Sequence, residues 1–222
     1  MKRLIATYAL LMVLSMIVVS CEHKELCYSH PHSAKVSVEF EWSQMPAAYS
    51  PGGMRVIFYP RNGGEEIVRD FVGKKGGCVE IPSGVYDVVC FNNDTQRVKY
   101  NGADGFSSIA ATTGVAQVGD VKAFRTPDYL CGGRLVAVVV EVKIGCEQTI
   151  ELPVTPMVCR YTYSVRGVKN LQNFSECVAV QRLMCSEYSV GGDREIQESR
   201  AEVCFAMERS GYAITGSCYT FG

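Results

Sequence analysis

Val36-Ser37-Val38-Glu39-Phe40-Glu41-Trp42 alternates without a fault, apolar residues at even positions and polar residues at odd ones. A period of two belongs to a pleated strand with one buried face. Val36, Val38, Phe40 and Trp42 are therefore expected to face a core. Downstream the pattern repeats. Pro51-Gly52-Gly53 punctuates, Met54 to Tyr59 reads as a strand, and Asn62-Gly63-Gly64 reads as a hairpin-type turn into Ile67 to Val72. Cys78 to Ile81 is followed by the turn Pro82-Ser83-Gly84 and by Val85 to Asn92, with Thr95 to Tyr100 pairing next. Leu135 to Ile144 is β-branched and almost continuous in valine, as expected of a strand covered on both faces or packed between sheets. Strands at this spacing, separated by Gly, Pro and Asn turns, argue an all-β fold of β-sandwich type.

Two stretches are less regular. Residues 101–130, rich in Gly, Ala, Ser, Thr and Asp, read as a long loop holding one short element. Asn170 to Cys185 fits a short helix and a strand about equally. The prolines of Leu152-Pro153-Val154-Thr155-Pro156 place a domain boundary nearby, giving an N-terminal β-sandwich over 35–147 and a C-terminal β-domain over 148–222.

Upstream of the first strand, Met1-Lys2-Arg3 precedes an apolar run from Leu4 to Val19, which reads as a secretory signal over residues 1–20. The run ends in Val18-Val19-Ser20-Cys21 and resembles a bacterial lipobox. That resemblance implies cleavage before Cys21 and attachment of a diacylglycerol to its thiol, with acyl chains of the palmitate kind. Residues 21–34 then form a lipidated tether. Removal of Lys2 and Arg3 leaves a net charge of −3, so attachment would rest on buried CH₂ groups at about 0.8 kcal/mol each rather than on a basic patch. The longest later apolar run, Leu135 to Val142, is broken by Glu141, so the protein is expected to be anchored to a membrane and not to span it.

The whole chain has 22 Lys+Arg against 23 Asp+Glu, which excludes the basic surface that nonspecific nucleic-acid binding needs. All three histidines, His23, His30 and His32, lie within ten residues, and the body of the chain has none. With Cys27 they offer four ligand types suited to zinc, but the spacing matches no known geometry and Pro31 splays the segment. A plain tether is the stronger reading, and no metal or cofactor is expected. No Cys-x-x-Cys pair occurs among eleven cysteines. The ten after Cys21 suit either a disulfide framework or buried reduced thiols. Phosphate-cradle, nucleophile-elbow and zincin motifs are absent. Asp70, Asp87, Asp94 and Asp104 remain as carboxylates that a two-carboxylate mechanism could use, although such residues on strands are usually solvated. No enzymatic activity is expected.

Cys21 to Cys27 with His30-Pro31-His32, the Val36 to Trp42 strand, and Ile81-Pro82-Ser83-Gly84-Val85-Tyr86-Asp87-Val88-Val89-Cys90-Phe91-Asn92 resemble the fimbrillin-associated anchor lipoproteins of type V pili. Pro156-Met157 and Tyr161 to Leu171 resemble the start of that family's second domain. The resemblance covers most of residues 21–222. It implies tandem β-sandwich domains of transthyretin-like or immunoglobulin-like type on an outer-membrane, cell-surface lipoprotein. It also implies a role in attaching or terminating a fimbrial shaft, with fimbrillin-type pilus subunits as partners, and no catalytic residue. The competing class is a surface glycan-binding module in which Trp42 or Tyr129 stacks on sugar rings. The alternation around Trp42 points it inward instead.

Only four strands can be placed after residue 156: Met157 to Val165, part of Cys177 to Met184, Arg200 to Glu208 and Tyr212 to Phe221. An immunoglobulin-like sandwich takes about seven. The second domain is therefore expected to be incomplete. Either the chain stops early relative to its family, or an open groove receives a strand from a pilus subunit.

Overall fold

The computed structural model describes residues 33–142, 148–173, 177–196 and 200–222. In the first half the strands are β1 (Ser33–Glu41), β2 (Gly53–Pro60), β3 (Ile67–Val72), β4 (Gly77–Pro82), β5 (Gly84–Asn92), β6 (Val98–Asn101), β7 (Ala110–Thr113), β8 (Val115–Val118), β9 (Val121–Arg125) and β10 (Cys131–Val140). The second half holds β11 (Gln148–Pro153), β12 (Thr155–Pro156), β13 (Val158–Arg166), β14 (Cys177–Cys185), β15 (Glu187–Ser189), β16 (Arg194–Glu195), β17 (Arg200–Ser210) and β18 (Ala213–Phe221). One 3₁₀ turn, Leu171–Asn173, is the sole helical element among the described residues.

The alternation of β1 is realised: Val36 and Val38 are fully buried, Lys35 and Glu39 are exposed, and Phe40 and Trp42 pack at the margin of the same core. β1 is the middle strand of a three-stranded sheet, parallel to β11 on one edge and antiparallel to β4 on the other. A second sheet, in the order β12-β10-β5-β2-β3, lies against it. Ala34, Val36, Val38, Ile81, Ile150 and Leu152 from the first sheet meet Val56, Phe58, Val88 and Cys90 from the second. This is a sandwich core.

The second sheet is buried on its other face as well. Ile57, Tyr59, Val89 and Phe91 point away from the first core and pack with Val98, Ala111, Tyr188, Met157 and Phe221 in a second. The covering layer is a four-stranded sheet, β16-β15-β7-β6. β2 and β5 are thus the doubly covered strands, which accounts for their unbroken runs Val56-Ile57-Phe58-Tyr59 and Val88-Val89-Cys90-Phe91. The valine run from Leu135 is not covered in this way. The sequence-based expectation fails because β10 bulges between Leu135 and Val138, with Ala137 at φ 57°, and β12 pairs only with Cys131 and Gly132. Val136, Val139 and Val142 are about half exposed as a result.

Residues 101–130 are also not the loop that their composition suggests, since they supply β7, β8 and β9. Ala110 to Thr113 are all buried, so this strand shows no alternation to read. β9 runs parallel to β17 and joins β13, β18, β14 and β17 in a third assembly, with β8 at its edge. The four strands expected after residue 156 are all present, and the strands missing from their sheet come from 115–125. Among the described residues, strand pairing crosses the expected boundary at 147/148 in four places, where β11 pairs with β1, β12 with β10, β15 with β7, and β17 with β9. A small third core of Leu171, Phe205, Met207, Ile214 and Cys218 lies on one face of the C-terminal sheet.

Phe58 and Phe91 point to opposite faces of the shared sheet, so Phe58→Ala and Phe91→Ala should each cost about 3–5 kcal/mol in denaturant unfolding. Val136→Ala, at a half-exposed position, should stay within about 0.5 kcal/mol. A large loss at Val136 would mean that the second half of β10 is covered after all.

Candidate functional site

The residues singled out for anchoring and metal binding, Cys21, His23, Cys27, His30 and His32, lie outside the described residues. Among the described residues no group of His, Cys, Asp or Glu is arranged to hold a metal ion, and no helix is long and apolar enough to cross a membrane.

The four carboxylates are not gathered into one site. Asp70 accepts two 2.8 Å hydrogen bonds from Arg55, and this guanidinium holds its carboxyl below the usual range. Both side chains are over 40% exposed, so the pair contributes less than about 1 kcal/mol. Asp94 accepts from the Gly52 amide and from Asn92. Asp87 and Asp104 do share a cleft of about 360 Å³ with Tyr59, Arg61, Glu66 and Phe106. There Asp87 is ion-paired to Arg61 at 2.8 Å and also accepts from the Ala137 amide.

Both aromatic candidates for sugar stacking are engaged. The Trp42 indole N–H donates to the Lys74 carbonyl at 3.2 Å, its ring meets Phe40 edge-on, and the Lys74 ammonium lies 5.2 Å from the ring centroid. Tyr129 sits between Tyr49 and Tyr219, with centroids at 4.5 and 5.6 Å, and bridges the first two cores.

Two features of the backbone carry more information. The first is β1 itself, the strand that receives the chain from the expected tether. It is held along Val36–Glu41 by β11 and along Ser33–Val38 by β4. A pull along the strand from its N-terminal end shears both ladders together instead of opening them bond by bond. The second is the C-terminal sheet. β17 and β18 pair only near their hairpin, from Met207–Gly216 to Ser210–Ala213, and then diverge. Thr126, just after β9, closes the split: its N–H donates to Cys204 O, its hydroxyl donates to Tyr219 O at 3.0 Å, and the Tyr219 N–H donates back at 2.8 Å. Nothing in Phe124-Arg125-Thr126-Pro127 marks this role, because it depends on partners more than 75 residues away. On the far side, β13 pairs with β18 along its whole length and with no other described strand.

The cysteines behave largely as core residues. Cys90 and Cys131 are fully buried, and burial pushes both thiols up, that of Cys131 to about 12. Cys204 and Cys218 are buried too, whereas Cys159 is exposed.

A family model described as Domain of unknown function (DUF5119) matches residues 20–206. A Bacteroides ovatus protein provisionally named fimbrium anchoring subunit Fim4B is 26% identical over 217 residues, which make up 94% of this chain and 63% of that protein. The chain therefore spans less than two thirds of this relative's length. A provisionally assigned adhesin from Bacteroides ovatus superposes with a TM-score of 0.71 at 23% identity, over 86% of this chain and 67% of the other. The fimbrial anchor protein Mfa2 from Porphyromonas gingivalis gives 0.53 at 13% identity, over 86% and 73%. At these identities the structural likenesses show a shared fold.

Two outcomes are expected. At pH 8 a thiol-alkylating reagent should label Cys159 in the native chain, while Cys90 and Cys131 should react only after unfolding, because their thiolates are disfavoured by burial. Fast native labelling of Cys131 would contradict its placement. Thr126→Val, which keeps the shape but removes the hydroxyl, should lower stability by about 1–3 kcal/mol in equilibrium unfolding, and an unchanged midpoint would show that the split is closed by other means.

Proposed function

We propose that this chain, which belongs to the family described as DUF5119, is an outer-membrane, cell-surface lipoprotein that attaches or terminates a fimbrial shaft and supports adhesion. Its partners on this reading are fimbrillin-type pilus subunits, and its hold on the membrane is the lipid on Cys21. In sequence, the expected tether of residues 21–34 runs from that cysteine to β1, whose first two residues, Ser33 and Ala34, already belong to the strand.

The observation that carries the reading is the setting of β1. An anchor has to pass a pull from its membrane end into its core without unravelling. The strand next to the expected tether is the central one of its sheet, hydrogen-bonded on both edges, with Val36 and Val38 fully buried beneath it. Resistance to a pull is set by the unfolding rate, and that rate falls when many bonds must break at once. The relative provisionally named as a fimbrium anchoring subunit and the shared fold with a fimbrial anchor protein support the same role. Trp42 and Tyr129 are each already packed against neighbours, which does not favour a glycan-binding reading.

The test replaces Cys21 by Ala in a strain that makes the cognate fimbriae. The protein should leave the membrane pellet, and shafts should move from cells into the culture medium both in this strain and in one from which the protein is deleted. A Cys21→Ala protein that still pellets with membranes would refute lipid anchoring. Shafts that stay on cells in the deletion strain would refute the anchoring role.

A further inference from the structure

Among the described residues, β13 is a nine-residue strand that pairs along one edge only, with β18. Within it there is no proline, lysine or register shift, and its residues other than Val158 and Tyr163 are exposed. A long, flat, unpaired edge is a template for another strand, and natural sheets normally blunt such edges. Inside the same sheet the pairing of β14 with β17 shifts between Gln181 and Met184, with Leu183 at φ 62°, whereas the β13–β18 ladder runs without a shift.

We propose that the β13 edge pairs antiparallel with β13 of a second copy of this chain, about a two-fold axis at Thr162. The argument is the sequence of the strand, Val158-Cys159-Arg160-Tyr161-Thr162-Tyr163-Ser164-Val165-Arg166. Centred on Thr162, the register opposes all nine residues. Tyr161 then faces Tyr163 of the partner subunit, Arg160 faces Ser164 of the partner subunit, and Cys159 faces Val165 of the partner subunit. No arginine meets another. A register centred on Tyr163 would set Arg160 against Arg166 of the partner subunit, and like charges directly opposite are destabilising.

The faces match as well. The odd-numbered residues lie on the side of the third core, where Tyr163 stacks on Phe205 at 5.1 Å and donates to Gln181 at 3.0 Å. Tyr161 and Val165 on that side are 41% and 48% exposed. Pairing sets Tyr161 against Tyr163 of the partner subunit and Val165 against Cys159 of the partner subunit, an aromatic and apolar ladder of the kind of cross-strand contact that stabilises sheets. The contact is isologous and uses up the edge of each copy, so assembly closes at two and does not propagate. That closure makes an unblunted edge tolerable.

The full chain, extracted in detergent and kept in reducing buffer so that no disulfide links copies, is sedimented alone and as Thr162→Lys and Thr162→Glu. Position 162 opposes itself, so each variant places two like charges on the axis. The unaltered chain should be a dimer that dissociates on dilution, and each variant alone a monomer with an unaltered circular dichroism spectrum. An equimolar mixture of the two variants should recover the dimer. A variant that stays dimeric, a mixture that stays monomeric, or an unaltered chain that is monomeric up to its solubility limit would each overturn the proposal. Independently of any variant, exchange of the β13 amides in the unaltered chain should slow by about tenfold or more as concentration rises through the dissociation range. Exchange there that does not depend on concentration would also overturn it.

Discussion

The fold depends on one sheet being covered twice. β2 and β5 send Val56, Phe58, Val88 and Cys90 into the first core and Ile57, Tyr59, Val89 and Phe91 into the second. The two layers beside it are placed by what they must bury against those two faces. The sheet holding β1 covers one, and the sheet of β6, β7, β15 and β16 covers the other. A strand pair buried on both sides leaves little room for polar residues. Those that occur on it are satisfied: Asn92, 1% exposed, donates to Asp94 and Tyr129 O and accepts from the Cys131 amide. An unsatisfied amide there would cost about 1–3 kcal/mol.

How much of this could be read from the sequence follows from the same physics. β1 is legible because one face is wet and one is dry, so burial is written as alternation. The hairpin after β2 is legible because Asn62-Gly63-Gly64 provides the left-handed positions, with Gly63 at φ 83° and Gly64 at φ 122°. The C-terminal strands β13, β17 and β18 are expected from the sequence as well, whereas β14 lies in a stretch that fits a helix and a strand about equally. Strands β7 to β9 are not. They are four or five residues long, and Ala110-Ala111-Thr112-Thr113 is buried on both sides by small side chains, so neither length nor period stands out from loop composition. The valine run of β10 misleads in the opposite direction, because hydrophobic content alone does not say whether a second layer extends far enough to cover it.

Long-range pairing is the part that composition cannot hold. β1 lies beside β11, with Val36 opposite Gln148, and β17 lies beside β9, with Val203 opposite Phe124. The first ladder brings β1 to a strand that ends in the proline-rich stretch at 152–156, and the second joins segments on either side of it. The candidate functional features share this origin. The shear-resistant setting of β1 needs β11, the closure of the C-terminal sheet needs Thr126, and the open edge of β13 is defined only by which strands pair elsewhere. The cysteine expected to carry the lipid is different in kind. Cys21 is read from four residues of local pattern, outside the described part of the chain.

Amide-resolved hydrogen exchange of the native chain tests the central claim most directly. If β2 and β5 form the wall that both cores share, their inner amides, Ile57, Phe58, Val88 and Val89, must exchange only through global opening and be the slowest in the molecule. The two outer sheets should exchange no more slowly than they do. Amides of β1 or β7 that stay protected while those of β5 exchange would contradict the account, because an outer layer would then be stable without the sheet it is built upon.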